Sequence, residues 1–481
     1  MKNTGLADEL GYAAASLADA ARNLLAPSLR LGITGLSRSG KTVCITALVH
    51  NLMSAAPLPL FEAARGGRLK RAWLQPQPDA RVPRFAYEEH LAALTAGEER
   101  RWPESTKRMA QLRLMLQYEP RSLLARGLGH DRLALDMVDY PGEWLMDLPL
   151  LDMDFHAFSE LALTTARQPQ RRSLAADWLA LLREVDADAP HDEETAQRLA
   201  AAYRDYLARC KREEGHFAAL LPGRFLMPGD MEGSPALTFC PLPDTQGAKP
   251  PAGSLRSEMQ RRYLAYVRHV VRPFFFDHFA RLDAQLVLVD VIGALNGGEQ
   301  ALNDLRETLR LVLSSFRVGS SHLFARRIRR VLFAATQADL LPSAQHERLR
   351  RILALLVEEA AKRAEYAGAS FETMALAAVR ATREGVVRHE GEELPVIIGV
   401  PEAGEKLGEE VFDGKKEAAV FPGDLPEDPR AALREDFTGR LQFVRFRPPD
   451  VAPPLPLEPA PPFPHIRMDA MLQFLLGEAL A

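Results

Sequence analysis

At 481 residues, with 47% hydrophobic and 26% charged residues and a formal net charge of -4, the chain is long enough for about two to four ordinary cores. It lacks the basic excess that a phosphate backbone attracts, so no nucleic acid partner is expected. No apolar run approaches the roughly 20 residues that a bilayer-spanning helix needs, and the N-terminus has no basic segment followed by an apolar stretch and a small-residue cleavage site, which sets aside a transmembrane segment and export.

In chain order, residues 6–26 read as an Ala/Leu-rich helix and 29–34 as a short apolar strand ending in a glycine-bearing loop that opens a helix over 41–53. After a Pro- and Arg-rich stretch to about residue 104, 109–118 alternates as a strand and 133–139 follows as another, a pair suited to a hairpin. From 144 to about 283 the pattern is mainly helical, with amphipathic stretches at 174–186, 194–213 and 254–281 and a Pro/Gly-rich loop over 222–253. Buried-type strands are predicted at 285–291, 330–336 and 371–382, with a helix near 299–315. Strands with near-continuous apolar runs, alternating with helices, imply an α/β fold with a mostly parallel sheet flanked by helices. Beyond about 386 come short strands, 394–400 and 441–446 among them, then a stiff Pro-rich stretch over 448–464. A final helix over 466–480 is expected to dock through Met468, Met471, Leu472 and Leu475. The expected organisation is therefore an N-terminal helix and first part of the core (1–144), a mainly helical insertion (145–283), the second part of the core (284–385) and a β-rich C-terminal extension (386–481). Cys44, Cys210 and Cys240 are scattered and odd in number, which predicts neither a disulfide framework nor a zinc site and fits a reducing cytoplasm.

The chemistry concentrates in four segments. Residues 35–42, G-L-S-R-S-G-K-T, match G-x-x-x-x-G-K-[ST] between a predicted strand and a predicted helix, the pattern of a phosphate-binding P-loop. Backbone N–H groups of Gly35, Ser37, Arg38, Ser39, Gly40, Thr42 and Val43 are expected to converge on an anion, Lys41 to reach the terminal phosphates and the Thr42 hydroxyl to bind magnesium. Residues 133–143, L-A-L-D-M-V-D-Y-P-G-E, form a strand ending in D-x-x-G, which resembles the switch II segment of GTPases. There Asp139 would reach the metal through water and the Gly142 N–H would meet the γ-phosphate. Asp136 in the same strand reads as a structural carboxylate on a partly solvated edge. Ser105 and Thr106 precede the strand at 109–118, where GTPases place the switch I threonine, so Thr106 is a candidate metal ligand and a turn cap is its plain alternative.

Residues 336–339, T-Q-A-D, follow a buried strand and resemble the [NT]-[KQ]-x-D guanine motif. Asp339 would accept hydrogen bonds from the two guanine donors that adenine lacks, while Thr336 and Gln337 stand where Asn and Lys are usual and brace the base less firmly. Arg380, in the segment ending the next strand, is a further base-side candidate. Arg38 resembles the cis arginine finger of guanylate-binding proteins and atlastins, and Glu143 follows the switch glycine where Ras-like enzymes carry a water-positioning glutamine. The basic run 326–330 reads as a solvated helix end that can also touch a membrane headgroup or an acidic partner.

Taken together, the chain resembles the YcjX-like P-loop NTPases of bacteria. The resemblance rests on G-L-S-R-S-G-K-T at 35–42, W-P-E-S-T at 102–106, D-M-V-D-Y-P-G-E-W at 136–144, L-V-D-V-I-G-A-L-N-G-G at 288–298, T-Q-A-D at 336–339, F-D-G at 412–414 and P-H-I-R-M-D at 464–469, and so spans most of the chain. It implies a GTPase-like core with a helical insertion, binding of GTP or GDP with Mg2+, a cytoplasmic location, a link to stress responses and an unidentified protein partner. Two alternatives stay open: an ATPase of the same fold, favoured by the imperfect T-Q-A-D, and a nucleotide-gated interaction module with negligible turnover, favoured by Glu143 in place of glutamine.

Overall fold

A computed structural model describes residues 27–35, 39–104, 108–121, 131–213, 220–243, 249–314, 328–359, 361–362, 368–389, 391–434, 441–452 and 461–481. The helix expected at 6–26 lies outside them, as do Arg326, Arg327 and much of the Pro-rich stretch.

Seven strands, β1 (Ser28–Gly35), β2 (Leu69–Gln75), β3 (Ala110–Tyr118), β4 (Arg132–Asp139), β5 (Ala284–Val289), β6 (Arg330–Ala335) and β7 (Ser370–Ala375), form one sheet in the order β2-β3-β4-β1-β5-β6-β7. The five strands from β4 to β7 are mutually parallel, whereas β3 runs antiparallel to β4 and β2 antiparallel to β3. This is the mostly parallel, helix-flanked sheet of a GTPase-like P-loop fold. The continuous apolar runs follow from burial on both faces: Leu286 and Leu288 of β5 pack with the helix α1 (Lys41–Met53), while Val287 and Val289 face the opposite core. The expected hairpin is present as the β3–β4 pair.

Several boundaries differ from expectation, each for a local reason. Strand β2 falls in the stretch read as Pro/Arg-rich, because an edge strand with only Ala72 buried needs no apolar alternation to pair through its backbone. Strand β5 stops at Val289, where the Asp290 carboxylate accepts the Gly293 N–H at 2.7 Å and caps a short helix. Strand β7 ends at Ala375, and residues 376–382 form a loop that pairs through Ala377 with Ile466. Residues 441–446 make no strand, only an isolated bridge from Phe446 to Pro401. Strand β6 begins at Arg330 as expected, at the last residue of the basic run read as a helix end, and Arg330 donates to the Phe474 carbonyl at 2.6 Å.

Asp136 is not on a solvated edge. β4 is an inner strand, and the Arg113 guanidinium directly across the β3–β4 register donates to both carboxylate oxygens at 2.6 and 2.7 Å. Arg113→Ala should therefore lower stability in chemical denaturation by about 3 kcal/mol, since it leaves a charge buried without its guanidinium; converting both residues to apolar ones should cost far less.

Between β4 and β5 lies the helical insertion, with α2 (Phe155–Ala166), α3 (Ala176–Glu184), α4 (Glu193–Glu213) and α5 (Leu255–Tyr266). Its core is aromatic, with Phe158, Trp178, Tyr203, Phe225, Phe239, Tyr263 and Tyr266 all buried. Tyr140, Trp144, Leu145, Met146, Leu148 and Leu150, from the segment just after β4, belong to the same core. The C-terminal extension carries a three-stranded antiparallel sheet of β8 (Arg383–His389), β9 (Glu392–Gly399) and the strand Ala418–Val420, and a last helix, Met468–Leu476. That helix buries Met468, Met471, Leu472 and Leu475 as expected. The chain leading into it clamps α1: Asn51 Nδ2 donates to the Phe463 carbonyl (3.0 Å), Asn51 Oδ1 accepts the Phe463 N–H (2.8 Å) and His50 Nε2 donates to the Pro461 carbonyl (2.8 Å). Among the described residues no helix is long and apolar enough to cross a membrane.

Candidate functional site

Because β4, β1, β5, β6 and β7 are parallel, their C-terminal ends share one edge of the sheet, the edge at which α/β proteins bind ligands. Strand β1 delivers Gly35 there. A Cβ at Gly35 would overlap the Ser39 hydroxyl, so Ser39 sits too close for a side chain at position 35. Gly40 follows at φ 75°, a conformation glycine adopts without strain, and α1 starts at Lys41. The helix begins with no acidic residue in its first turn and no side-chain cap among the described residues, which leaves its positive end directed at the loop. Thr42 is buried in that first turn, and the buried Ser39 hydroxyl has no hydrogen-bond partner among the described residues. Ile33 of β1 pairs with Asp139 of β4, and this register brings the loop to the carboxylate: Lys41 Nζ donates to Asp139 Oδ1.

After Asp139 the chain passes Tyr140 and Pro141 into a 3-10 helix, Gly142–Asp152. The insertion grips this helix at four places. Lys211 Nζ, near the end of α4, donates to Glu143 Oε1 at 2.9 Å. A Cβ on Gly223 would overlap the Glu143 carbonyl oxygen, so the two backbones are in direct apposition. The Arg224 guanidinium lies 3.4 Å above the centre of the Trp144 ring, whose Nε1 donates to the Met227 carbonyl at 3.0 Å. Buried Asp147 accepts from the Gly223 N–H (2.7 Å), the Arg224 N–H (3.3 Å) and the Tyr266 hydroxyl (2.7 Å), while its burial pushes the carboxyl up to about 6.

The other end of the site is built from β6 and β7. Thr336 donates its N–H to the Val289 carbonyl (3.0 Å), Gln337 sits in the left-handed region at φ 60°, and Asp339 is buried. One carboxylate oxygen of Asp339 accepts the Ala381 N–H at 2.8 Å, and the Thr382 hydroxyl donates to the Asp339 carbonyl. Burial pushes the Asp339 carboxyl up to about 6, and the Ala381 N–H opposes that shift. Arg380 donates its N–H to the Pro464 carbonyl (2.7 Å) and its Nε to the Thr382 carbonyl (2.9 Å), so the tail holds this loop in place.

A family model described as the YcjX-like family, DUF463, matches residues 29–480. This chain belongs to the YcjX-like family. It is similar to the "Ras-like GTPase YcjX" of Escherichia coli strain K12, 39% identical over 466 residues that cover 94% of this chain and 96% of that relative. It is also similar to the protein of the same name from Shewanella oneidensis strain MR-1, 34% identical over 477 residues and 94% of each chain.

In this YcjX-like chain the candidate residues Gly35, Ser39, Gly40, Lys41, Thr42, Val43, Asp139, Gly142 and Glu143 occupy one end of the shared edge, and Thr336, Gln337, Asp339 and Arg380 the other. Ser37, Arg38 and Thr106 lie outside the described residues. The chain leading to Thr106 is nonetheless tethered, since Trp102 Nε1 donates to the Phe446 carbonyl (2.7 Å) and Arg100 Nε to the Pro448 carbonyl (2.8 Å). Lys211, Gly223 and Asp147 were not singled out from the sequence. Only Asp147 carried a signal there, a lone carboxylate in W-L-M-D-L-P-L-L.

Proposed function

We propose that this YcjX-like protein is a cytoplasmic guanine-nucleotide switch that hydrolyses GTP to GDP and phosphate with magnesium and acts on a protein partner. The observation that carries this reading is the shared sheet edge, with the uncapped start of α1 and Lys41 beside Asp139 at one end and buried Asp339 beside the 380–382 loop at the other. The names of the two relatives support it. The phosphates would lie along the N–H groups from Gly35 through Val43, Ser37 and Arg38 included, with the Lys41 ammonium on the terminal groups and the Gly142 N–H toward the γ-phosphate. Arg38 would meet charge developing on the transferred phosphoryl group and Glu143 would orient water. Thr336, Gln337, Asp339 and Arg380 would bound the base.

The donor set fits a magnesium ion. A Thr42 hydroxyl in the first turn of α1 and an Asp139 carboxylate at the end of the adjacent strand are hard oxygen ligands, and Thr106 would add a third. When bound, the ion neutralises charge on the phosphate oxygens.

Identification of the nucleotide carried by freshly purified protein tests the whole reading, and equal affinity for GDP and ADP would defeat the guanine assignment. Asp339→Asn should cost at least about tenfold in the GDP-to-ADP affinity ratio, because a carboxylate accepting two guanine donors is replaced by a group that offers a donor of its own. The pH dependence has a definite sign. Asp339 accepts from both guanine donors at full strength only when ionised, and its folded value near 6 means that protonation sets in below that pH. The GDP-to-ADP ratio should thus hold steady above about pH 7 and fall toward about pH 5, by up to about tenfold per unit, while the Asn variant stays flat. Taking the ratio cancels protonation of the phosphates, which both nucleotides share.

The Lys211–Glu143 pair favours a second reading, a nucleotide-gated module with negligible turnover. Phosphate release by wild type and Arg38→Ala separates the two, since release from neither leaves binding alone.

A further inference from the structure

The segment from Asp139 to Glu143 carries a carboxylate at each end, and each is joined to a lysine from a different part of the molecule. Asp139 accepts from Lys41, which belongs to the P-loop helix, and Glu143 accepts from Lys211, which belongs to α4 of the insertion. The two pairs respond differently to a nucleotide. A polyphosphate on the loop competes for Lys41, because that ammonium is part of its own cradle. It does not compete in this way for Lys211, a residue of the insertion rather than of the loop.

We propose that Lys211 is a positioning residue that restrains Glu143, so that the insertion influences the rate of nucleotide hydrolysis through this ion pair. The proposal rests on the guanine-nucleotide reading above. In the reaction concerned, a water oxygen forms a bond to the γ-phosphorus as the bond from that phosphorus to the β–γ bridging oxygen breaks. GDP departs with that bridging oxygen, and both water hydrogens end on the released phosphate. Glu143, directly after Gly142, assists by accepting a hydrogen bond from the attacking water. A carboxylate already paired with an ammonium is a weaker acceptor for that water, because one oxygen is engaged.

The restraint is well anchored. The backbone of Glu143 is pressed against Gly223, Trp144 is stacked under Arg224, and Asp147 is tied to Gly223, Arg224 and Tyr266, so the segment cannot drift from Lys211 while the insertion is docked. The Glu143 side chain is also largely shielded, with 14% of its surface exposed, which limits water as a replacement partner. Release of Glu143 then requires a displacement of the C-terminal end of α4. A partner that engages this helix would accelerate hydrolysis without contributing a residue to the phosphates.

The test uses the full chain with GTP and magnesium and follows steady-state phosphate release together with GDP affinity. Lys211→Ala should raise kcat about tenfold, with KM for GTP and affinity for GDP within about twofold of wild type, because among the described residues Lys211 pairs with Glu143 and with none of the candidate phosphate-binding or base-binding residues. Lys211→Gln gives a second, isosteric version of the same release, and Lys211→Arg, which keeps the charge, should stay near the wild-type rate. Combining Lys211→Ala with Glu143→Gln should return the rate to that of Glu143→Gln alone, which separates release of Glu143 from a general loosening of the insertion. A kcat unchanged or lowered in both the Ala and Gln variants, with GDP affinity retained, overturns the proposal while the guanine-nucleotide reading stands. Failure of that reading looks different: wild type itself would bind no guanine nucleotide.

Discussion

Replacing Lys41 with alanine should weaken binding of GDP and GTP by about two to three orders of magnitude in isothermal titration. On the proposed reading the ammonium lies on the terminal phosphates, and a charge-assisted hydrogen bond to an anion contributes about 1.5–3 kcal/mol, with more than one expected here. A second effect acts in the same direction. With the Lys41 ammonium gone, the buried Asp139 carboxylate faces the incoming phosphates without that counter-charge and repels them. Lys41→Arg should rescue little, because a planar guanidinium on a longer stem cannot act as the compact point charge that an ammonium presents. Since α1 is held mainly by its buried apolar face, the fold should survive and thermal unfolding should move by only a few degrees. An affinity within tenfold of wild type would falsify the assignment of Lys41 to the phosphates.

Gly223→Ala should be the most damaging single change in the insertion. The added methyl would overlap the carbonyl oxygen of Glu143, and both atoms belong to backbones fixed by neighbouring contacts, so neither yields as a flexible side chain would. The shift needed to relieve the overlap also stretches the Gly223 N–H bond to buried Asp147, adding the cost of a poorly satisfied carboxylate. We expect a loss of about 3 kcal/mol or more in denaturant unfolding. Faster amide hydrogen exchange should be confined to residues 142–152 and 223–226. Gly233→Ala in the same insertion is the control. Its added Cβ meets nothing within 4 Å and pays only for a positive φ, about 1 kcal/mol. If both variants lose similar stability, the apposition of Gly223 and Glu143 is not what holds the insertion to the core.

What could be read in advance was whatever local chemistry makes distinctive. Gly35, Gly40, Lys41 and Thr42 stand at a spacing that phosphate binding requires, and β5 is almost wholly apolar because it is buried on both faces. β2 escaped notice because an edge strand pairs through its backbone and leaves little trace in side-chain pattern. The strand expected at 441–446 shows the reverse error, since an alternating apolar segment packs equally well in extended form without partners on either side. Lys211 was invisible for another reason. Its partner Glu143 is 68 residues away, and nothing local distinguishes a lysine that reaches across to a core segment from one on a solvated helix. The same holds for Asp136, whose role depends on Arg113 lying directly opposite.

The reciprocal pair between Asn51 and Phe463 joins residues 412 positions apart. During synthesis, then, the ribosome must go far beyond Lys41 before the flank of its helix can be covered, because the residues that do so, including Met468, Met471 and Leu472, lie about 400 positions further along the chain. Until then the nascent chain exposes the apolar flank that these residues later cover, a surface prone to aggregation. Its ability to hold a nucleotide firmly should arrive abruptly, once residues 461–476 are available to pack, rather than when the loop itself is made.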